Sequence, residues 1–182
     1  STLLPGYRST ASAEDRATMR RLWDLPPDAP GVSAEPGLAA TELVEALEER
    51  KVRSLWVVAT NPVVSQPQAE RFAAALAQAD LVVVQDVHHP TETAAVAHVA
   101  LPAAGWPEKD GTMTNSERRV SLLQRALAPP GDALPDWEIF ARLGRAPGHR
   151  DAFAWATAAD VYDEFARTTA GRLCDVTGLS HE

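Results

Sequence analysis

The sequence predicts an α/β fold built on a partial parallel sheet with flanking helices. Two short all-apolar stretches, SLWVVA at 54–59 and LVVV at 81–84, are rich in β-formers and too brief for buried helices, so they read as strands covered on both faces. Between them Ala69, Phe72, Ala73 and Leu76 recur at helical spacing. A strand, a helical crossover and a second strand imply parallel pairing, and such crossovers are almost always right-handed. HVALP, ending at Pro102, supplies a third short strand. The sheet is therefore smaller than the usual roughly four to six strands.

The remaining elements follow in order. Ser12 precedes the carboxylate of Asp15 by three residues, a capping-box-like start, and Met19, Leu22 and Trp23 then share one helical face. This helix is expected to run to about Leu25, where Pro26-Pro27 stops it and a Pro- and Gly-rich connector begins. Ala40, Leu43, Val44 and Leu47 predict an amphipathic helix over 38–50. Thr60-Asn61-Pro62 closes the first strand and Gln85-Asp86 the second. A short helix from Thr91 leads to the third strand. In EKDGTMTNSERRV, residues 108–120, Asp110-Gly111 is expected to form the turn. Val120–Leu123 reads equally as extended or as part of a helix. Asp136, after Pro135, is placed as the N-cap of one helix, and Thr157 caps another that Gly171 closes.

Composition narrows the function classes. The 182 residues suffice for one domain with a core, on a prior of about 100–200 residues per domain. An apolar fraction of 45% and a charged fraction of 23% are those of a globular chain. Seventeen basic against 25 acidic side chains give a formal charge of −8, which disfavours nucleic acid and anionic lipid as partners. The apolar runs fall far short of the roughly 18 residues of a membrane helix. The opening residues have neither the basic nor the apolar region of a signal peptide, and the lack of an initiator Met suggests excision from something longer. A single cysteine, Cys174, forms no internal disulfide and no zinc or iron–sulfur site, which implies a reducing compartment. No catalytic and no metal-ligating residue is assigned.

In parallel sheets ligands bind at the carboxyl ends of strands, so TNP at 60–62 and Gln85-Asp86 lie side by side as site candidates. A carboxylate at Asp86 can accept two parallel N–H bonds, the pair that a guanine edge offers; residue type alone equally describes a solvated strand end or a turn cap. Asn61 before Pro62 is a turn former whose amide both donates and accepts. Lys109, with Arg118 and Arg119, can neutralise a diphosphate, or form a solvated loop balanced by Glu108, Asp110 and Glu117. His88-His89 side chains point apart on an extended chain, against a metal pair. Neither strand is followed by a glycine fingerprint or a phosphate-cradling loop, and no serine sits in a hydrolase elbow.

Five stretches taken in order, LPGYR (4–8), LWVVATNPVVSQP (55–67), LVVVQD (81–86), ETAAVAHVALPAAGWPEKDGTMTNSERRVSL (92–122) and APPGDALPDWEIF (128–140), resemble one family. They are similar to the catalytic subunit of assimilatory nitrate reductases, among the molybdopterin oxidoreductases of the dimethyl sulfoxide reductase superfamily. The resemblance implies a molybdenum enzyme with a bis-(molybdopterin guanine dinucleotide) cofactor that reduces nitrate to nitrite in the cytoplasm. It implies an iron–sulfur cluster in the parent but not in this chain, and an electron-donor protein or domain as partner. It also implies a Rossmann-like sheet holding one pterin dinucleotide. Matching positions place cofactor contacts at Asn61, Gln85, Asp86, Lys109 and Asp136.

On this reading residues 1–36 form a leading helix and connector. Residues 37–150 form the Rossmann-like cofactor-binding domain, and 151–182 a helical extension toward a missing domain. The chain is then a fragment, inactive by itself. Formate dehydrogenases and periplasmic nitrate reductases share versions of EKDG and NSERR, so a formate dehydrogenase-type or other molybdopterin oxidoreductase fragment is one alternative. A non-catalytic α/β interaction module is a second, and an ordinary nucleotide-binding enzyme, disfavoured by the missing glycines, a third.

Overall fold

The computed structural model describes residues 3–146 and 148–180. In chain order the elements are β1 (Leu3–Leu4), β2 (Arg8–Ser9), α1 (Ala13–Leu22), α2 (Leu43–Glu48), β3 (Ser54–Val58), α3 (Pro62–Ser65), α4 (Ala69–Ala77), β4 (Leu81–Asp86), β5 (Val99–Pro102), β6 (Gly111–Thr114), β7 (Val120–Leu123), α5 (Asp136–Arg145) and α6 (Ala158–Thr168). They divide between two compact units: Leu38–Lys109 with Arg125–Ile139, and Ser1–Gly37 with Asp110–Gln124 and Phe140–Glu182.

The first of these units contains the parallel sheet, in the order β3-β4-β5. Its core is Leu47 from α2, Val57 from β3, Phe72, Ala75 and Leu76 from α4, and Val82 and Val84 from β4. Phe72 and Leu76 are at most 1% exposed, and each such side chain contributes about 1.5–3 kcal/mol when buried. The register sets Val58 opposite Gln85 and Asp86 opposite Pro102, so the carboxyl ends of the strands form one edge. His98 fixes the start of β5: its Nδ1 accepts from the Val82 N–H at 2.9 Å, and its own N–H donates to the Val82 carbonyl at 2.9 Å.

Beyond β5 the chain gains one more rung. Ala103 bridges Leu134 in parallel, with the Leu134 N–H on the Pro102 carbonyl at 3.1 Å and the Ala104 N–H on the Leu134 carbonyl at 2.8 Å. This carries Pro135-Asp136 to the same sheet edge. The Pro107 carbonyl accepts from the amides of Ala126 at 2.8 Å and Leu127 at 2.9 Å, pinching together the two chain segments on either side of residues 110–124.

In the second unit, β1 and β2 pair as an antiparallel hairpin around Pro5–Tyr7, and β6 pairs with β7. The caps expected at α1 and α6 form: Ser12 Oγ accepts from the Asp15 N–H at 3.2 Å, and Thr157 Oγ1 from that of Asp160 at 3.2 Å. Asp160 returns the bond to the Thr157 N–H at 2.8 Å, completing a capping box.

Several elements differ from the sequence expectation. Helix α1 ends at Leu22, because Asp24 takes a left-handed φ of 48° ahead of the prolines. Helix α2 covers only Leu43–Glu48 of the predicted 38–50; before it, Glu42 Oε2 accepts from the Ala39 N–H at 2.6 Å in a turn. The helix expected from Thr91 is a single 3-10 turn at Ala94–Val96. Asp110-Gly111 is not the turn: Gly111 opens β6 opposite Leu123 and is not among the positive-φ glycines. The reversal lies at Asn115–Arg119, where the Arg118 N–H donates to the Asn115 carbonyl and Arg118 sits at φ 63°. Asn115 Oδ1 accepts from the amides of Glu117 and Arg119 at 3.0 Å each, so the side chain builds the turn that a glycine was expected to make. Val120–Leu123 is thereby extended, not helical.

Candidate functional site

Strand β4 ends on polar residues that its apolar body does not foretell. The Gln85 side chain is fully buried, with 0% exposure, and its Nε2 donates to Asp136 Oδ1 at 2.8 Å. Only the NH₂ end of the amide can face a carboxylate, so the orientation is fixed, and Oε1 is left as a buried acceptor with no hydrogen-bond partner. An unsatisfied buried acceptor costs about 1–3 kcal/mol, which marks this position as one that stability alone does not account for.

The other oxygen of Asp136, Oδ2, accepts from Lys109 Nζ at 2.6 Å, with the two side chains 35% and 25% exposed. Burial pushes the Asp136 carboxyl up, but the hydrogen bonds from Lys109 and Gln85, with the Lys109 charge, outweigh it and hold the group below the usual carboxylate range. Asp136 is itself the first residue of α5, and its two oxygens engage side chains from two other segments. Its expected position as the N-cap ahead of that helix is corrected accordingly: the Leu134 rung sets where the helix begins.

Asn61 follows β3 and ties its loop to the β4–β5 connection. Its Oδ1 accepts from the Thr93 hydroxyl at 2.6 Å and the Thr93 N–H at 3.3 Å, while its Nδ2 donates to Glu92 Oε2 at 2.7 Å. Thr93 is 0% exposed, and its hydroxyl also accepts from the Val63 N–H at 3.2 Å. Asp86 Oδ1 accepts from the His88 N–H at 3.0 Å, a turn cap that occupies one carboxylate oxygen.

All the predicted site residues therefore lie in the unit that holds the parallel sheet, at or just beyond its strand ends. Gln85, Asp136 and Lys109 are joined directly, and Asp86 adjoins Gln85 in the chain. Asn61 belongs to a separate hydrogen-bonded group with Glu92 and Thr93. Arg118 and Arg119 fall in the exposed hairpin turn of the other unit. Among the described residues, no group of three or more His, Cys, Asp or Glu side chains is placed to hold a metal ion, and no helix is long and apolar enough to cross a membrane. An open hollow bordered by Asp151, Trp155, Asp160, Glu164 and Arg167 contains none of the predicted residues.

Sequence reasoning missed Glu92, Thr93 and Leu134. A threonine beside an apolar stretch carries no mark of burial, and a one-residue bridge has no periodicity. The only available signal was the polar TET at 91–93 before an apolar run.

At the carboxyl edge of the parallel sheet the fold thus brings together the amide of Gln85, the carboxylates of Asp86 and Asp136 and the ammonium of Lys109 in an α/β unit. Comparison with known proteins then gives the family. The molybdopterin oxidoreductase family matches residues 5–146. A nitrate reductase of Synechocystis sp. is 50% identical over 182 residues, all of this chain and 25% of that protein. The F420-dependent formate dehydrogenase subunit alpha of Methanocaldococcus jannaschii is 41% identical over 133 residues, 73% of this chain and 20% of that protein. Acetylene hydratase from Pelobacter acetylenicus superposes with a TM-score of 0.62 at 21% identity, covering 82% of this chain and 21% of that one, a likeness of fold. The chain belongs to the molybdopterin oxidoreductase family. It spans about a quarter of the length of the nitrate reductase that it matches throughout.

Proposed function

We propose that this chain is part of a cytoplasmic molybdenum-dependent nitrate reductase, reducing nitrate to nitrite, in which it forms one wall of a bis-(molybdopterin guanine dinucleotide) site. The observation that carries the reading is the buried Gln85 Oε1, an acceptor without a partner at the edge of a parallel sheet, held beside an Asp136–Lys109 ion pair. The donor set fits a dinucleotide. Gln85 Oε1 and the second oxygen of Asp86 accept from N–H groups, with Asp86 given the guanine edge. Lys109 retains donors beyond the one it gives Asp136 and meets a phosphate or pterin oxygen. Asn61 contributes a neutral hydrogen bond, and Asp136 holds Gln85 and Lys109 in place.

When bound, the cofactor supplies the redox-active metal; the residues described here bind, orient and exclude water. The remaining domains of the parent and an electron donor complete the enzyme, so the 182-residue chain alone is inactive. The match at 50% identity to a nitrate reductase, over all of this chain and 25% of that protein, supports nitrate as substrate. The match at 41% identity to a formate dehydrogenase subunit supports the second reading, a formate dehydrogenase-type parent.

The test is to express the parent and measure guanosine monophosphate released by mild acid per polypeptide, alongside molybdenum. Wild type is expected to release it, and Lys109→Ala to release less while remaining folded. Full release from that variant would remove Lys109 from the site. Assays with nitrate and a reduced dye, and with formate and an oxidised dye, separate the two substrates.

A further inference from the structure

Asn61 stands at the N-cap of α3, where an asparagine ordinarily accepts from the second or third N–H of its own helix, yet its side chain makes no such bond. The Val63 N–H, second in that helix, is taken instead by the Thr93 hydroxyl at 3.2 Å. Thr93 thus caps α3 from the β4–β5 connection, and the Asn61 amide is released from that task. The same threonine then holds the amide. Asn61 Oδ1 accepts the Thr93 hydroxyl at 2.6 Å and the Thr93 N–H at 3.3 Å, which uses both of its lone pairs. On the other side Nδ2 donates to Glu92 Oε2 at 2.7 Å. That bond holds the Glu92 carboxyl below its ordinary range, so this partner is ionised at neutral pH and can only accept.

A backbone N–H that can only donate and a carboxylate that can only accept fix the sense of the amide, since the flipped form would set NH₂ against N–H and carbonyl against carboxylate. Among the described residues, one Nδ2 hydrogen of Asn61 is left uncommitted. At the neighbouring strand end Gln85 is held the opposite way: Asp136 takes its NH₂ and Oε1 is left over. Two neutral amides at one sheet edge therefore offer opposite ends to a ligand. We propose that Thr93 and Glu92 are positioning residues of the dinucleotide site, acting through Asn61 to make it a donor only, so that its partner on the cofactor is an acceptor oxygen of a phosphate or a ring carbonyl. This rests on the reading that Asn61 faces the cofactor, and adds the direction of the bond.

A polarity swap in the parent tests it. Asn61→Asp with Glu92→Gln keeps both bonds from Thr93, now on a carboxylate, and reverses the third, the new amide donating to that carboxylate. The network survives and the spare hydrogen is gone. Purified from a host that does not make the cofactor, the double variant is expected to melt close to wild type. Purified with cofactor, it is expected to release several-fold less guanosine monophosphate per polypeptide on mild acid treatment. Full release overturns the proposal. If the double variant melts low, Thr93→Val and Thr93→Ser decide: the first loses the hydroxyl and is expected to release less, and the second keeps it and is expected to release as much as wild type. Equal release from these two, whether full or reduced, counts against positioning by the hydroxyl. A wild-type parent that releases no guanosine monophosphate sinks the cofactor reading itself, whereas release from wild type and double variant alike sinks only this inference.

Discussion

Lys109 and Asp136, 27 residues apart in the chain, meet through a 2.6 Å hydrogen bond from Nζ to Oδ2. The same carboxylate takes Gln85 Nε2 on its other oxygen, so one aspartate sets two of the proposed ligand-holding side chains. Asp136→Asn removes the charge and leaves an amide to face two donors. With both partners a quarter or more exposed, solvent screening limits the cost to about 1–2 kcal/mol. The pH dependence has a definite sign. The folded carboxyl lies below its ordinary value, so the stability it contributes is present above the unfolded pKa of about 3.9 and is lost as pH falls through the folded one. Thermal melts of both proteins are expected to differ near neutrality and to converge in acid. A gap that persists unchanged into acid would show that Asp136 acts otherwise.

Gln85→Glu puts a second carboxylate about 2.8 Å from that of Asp136, at a position that is itself 0% exposed. Both cannot ionise there, and an uncompensated buried charge costs about 3–5 kcal/mol. The variant is expected to melt far below wild type at neutral pH and to regain stability relative to it as the pH is lowered and one carboxyl takes a proton. Gln85→Leu, by contrast, removes the unpartnered oxygen along with the bond to Asp136, and its melting point should stay near wild type.

Asn61→Ala strips the buried Thr93 of the acceptor for its hydroxyl and N–H. Leaving such groups unpaired costs about 1–3 kcal/mol. Adding Thr93→Val removes one orphan, so the double variant should be more stable than the sum of the singles predicts. Denaturant unfolding of the four proteins gives the coupling, and strict additivity would argue against the pair.

Arg118 occupies φ 63° at the β6–β7 turn. Glycine there relieves about 1–2 kcal/mol of left-handed strain. It also adds back about 0.5–1 kcal/mol of chain entropy. Arg118→Gly is therefore expected to slow amide exchange of Met113 and Ser121 slightly, and Arg118→Val to speed it. The opposite order would mean that the arginine side chain itself stabilises the hairpin.

What the sequence discloses depends on how local the cause is. The strands at 54–59 and 81–84 are legible because burial on both faces leaves an unbroken apolar run, and the caps at Ser12 and Thr157 because their partners lie three residues away. Beta strand β4 running on through Gln85-Asp86 is not legible, since a fully buried glutamine looks like the end of an apolar segment. The hairpin turn at Asn115–Arg119 is not legible either, because an asparagine side chain and a left-handed arginine do there what a glycine usually does. At the site, strand-end position makes Asn61, Gln85 and Asp86 candidates, and the family resemblance is what assigns them. Contacts that join residues 27 and 51 positions apart, Lys109 and Gln85 with Asp136, have no periodic or local signature and needed the folded chain.

The double grip of the Pro107 carbonyl on the amides of Ala126 and Leu127 has an engineering consequence. Because the chain leaves the sheet unit and re-enters it through that clasp, residues 110–124 behave as a cassette whose two ends are already side by side. Excising them and joining Lys109 to Arg125 through a few flexible residues would give a minimal scaffold that keeps the strand ends, Asp136 and Lys109 together in one continuous, shorter gene.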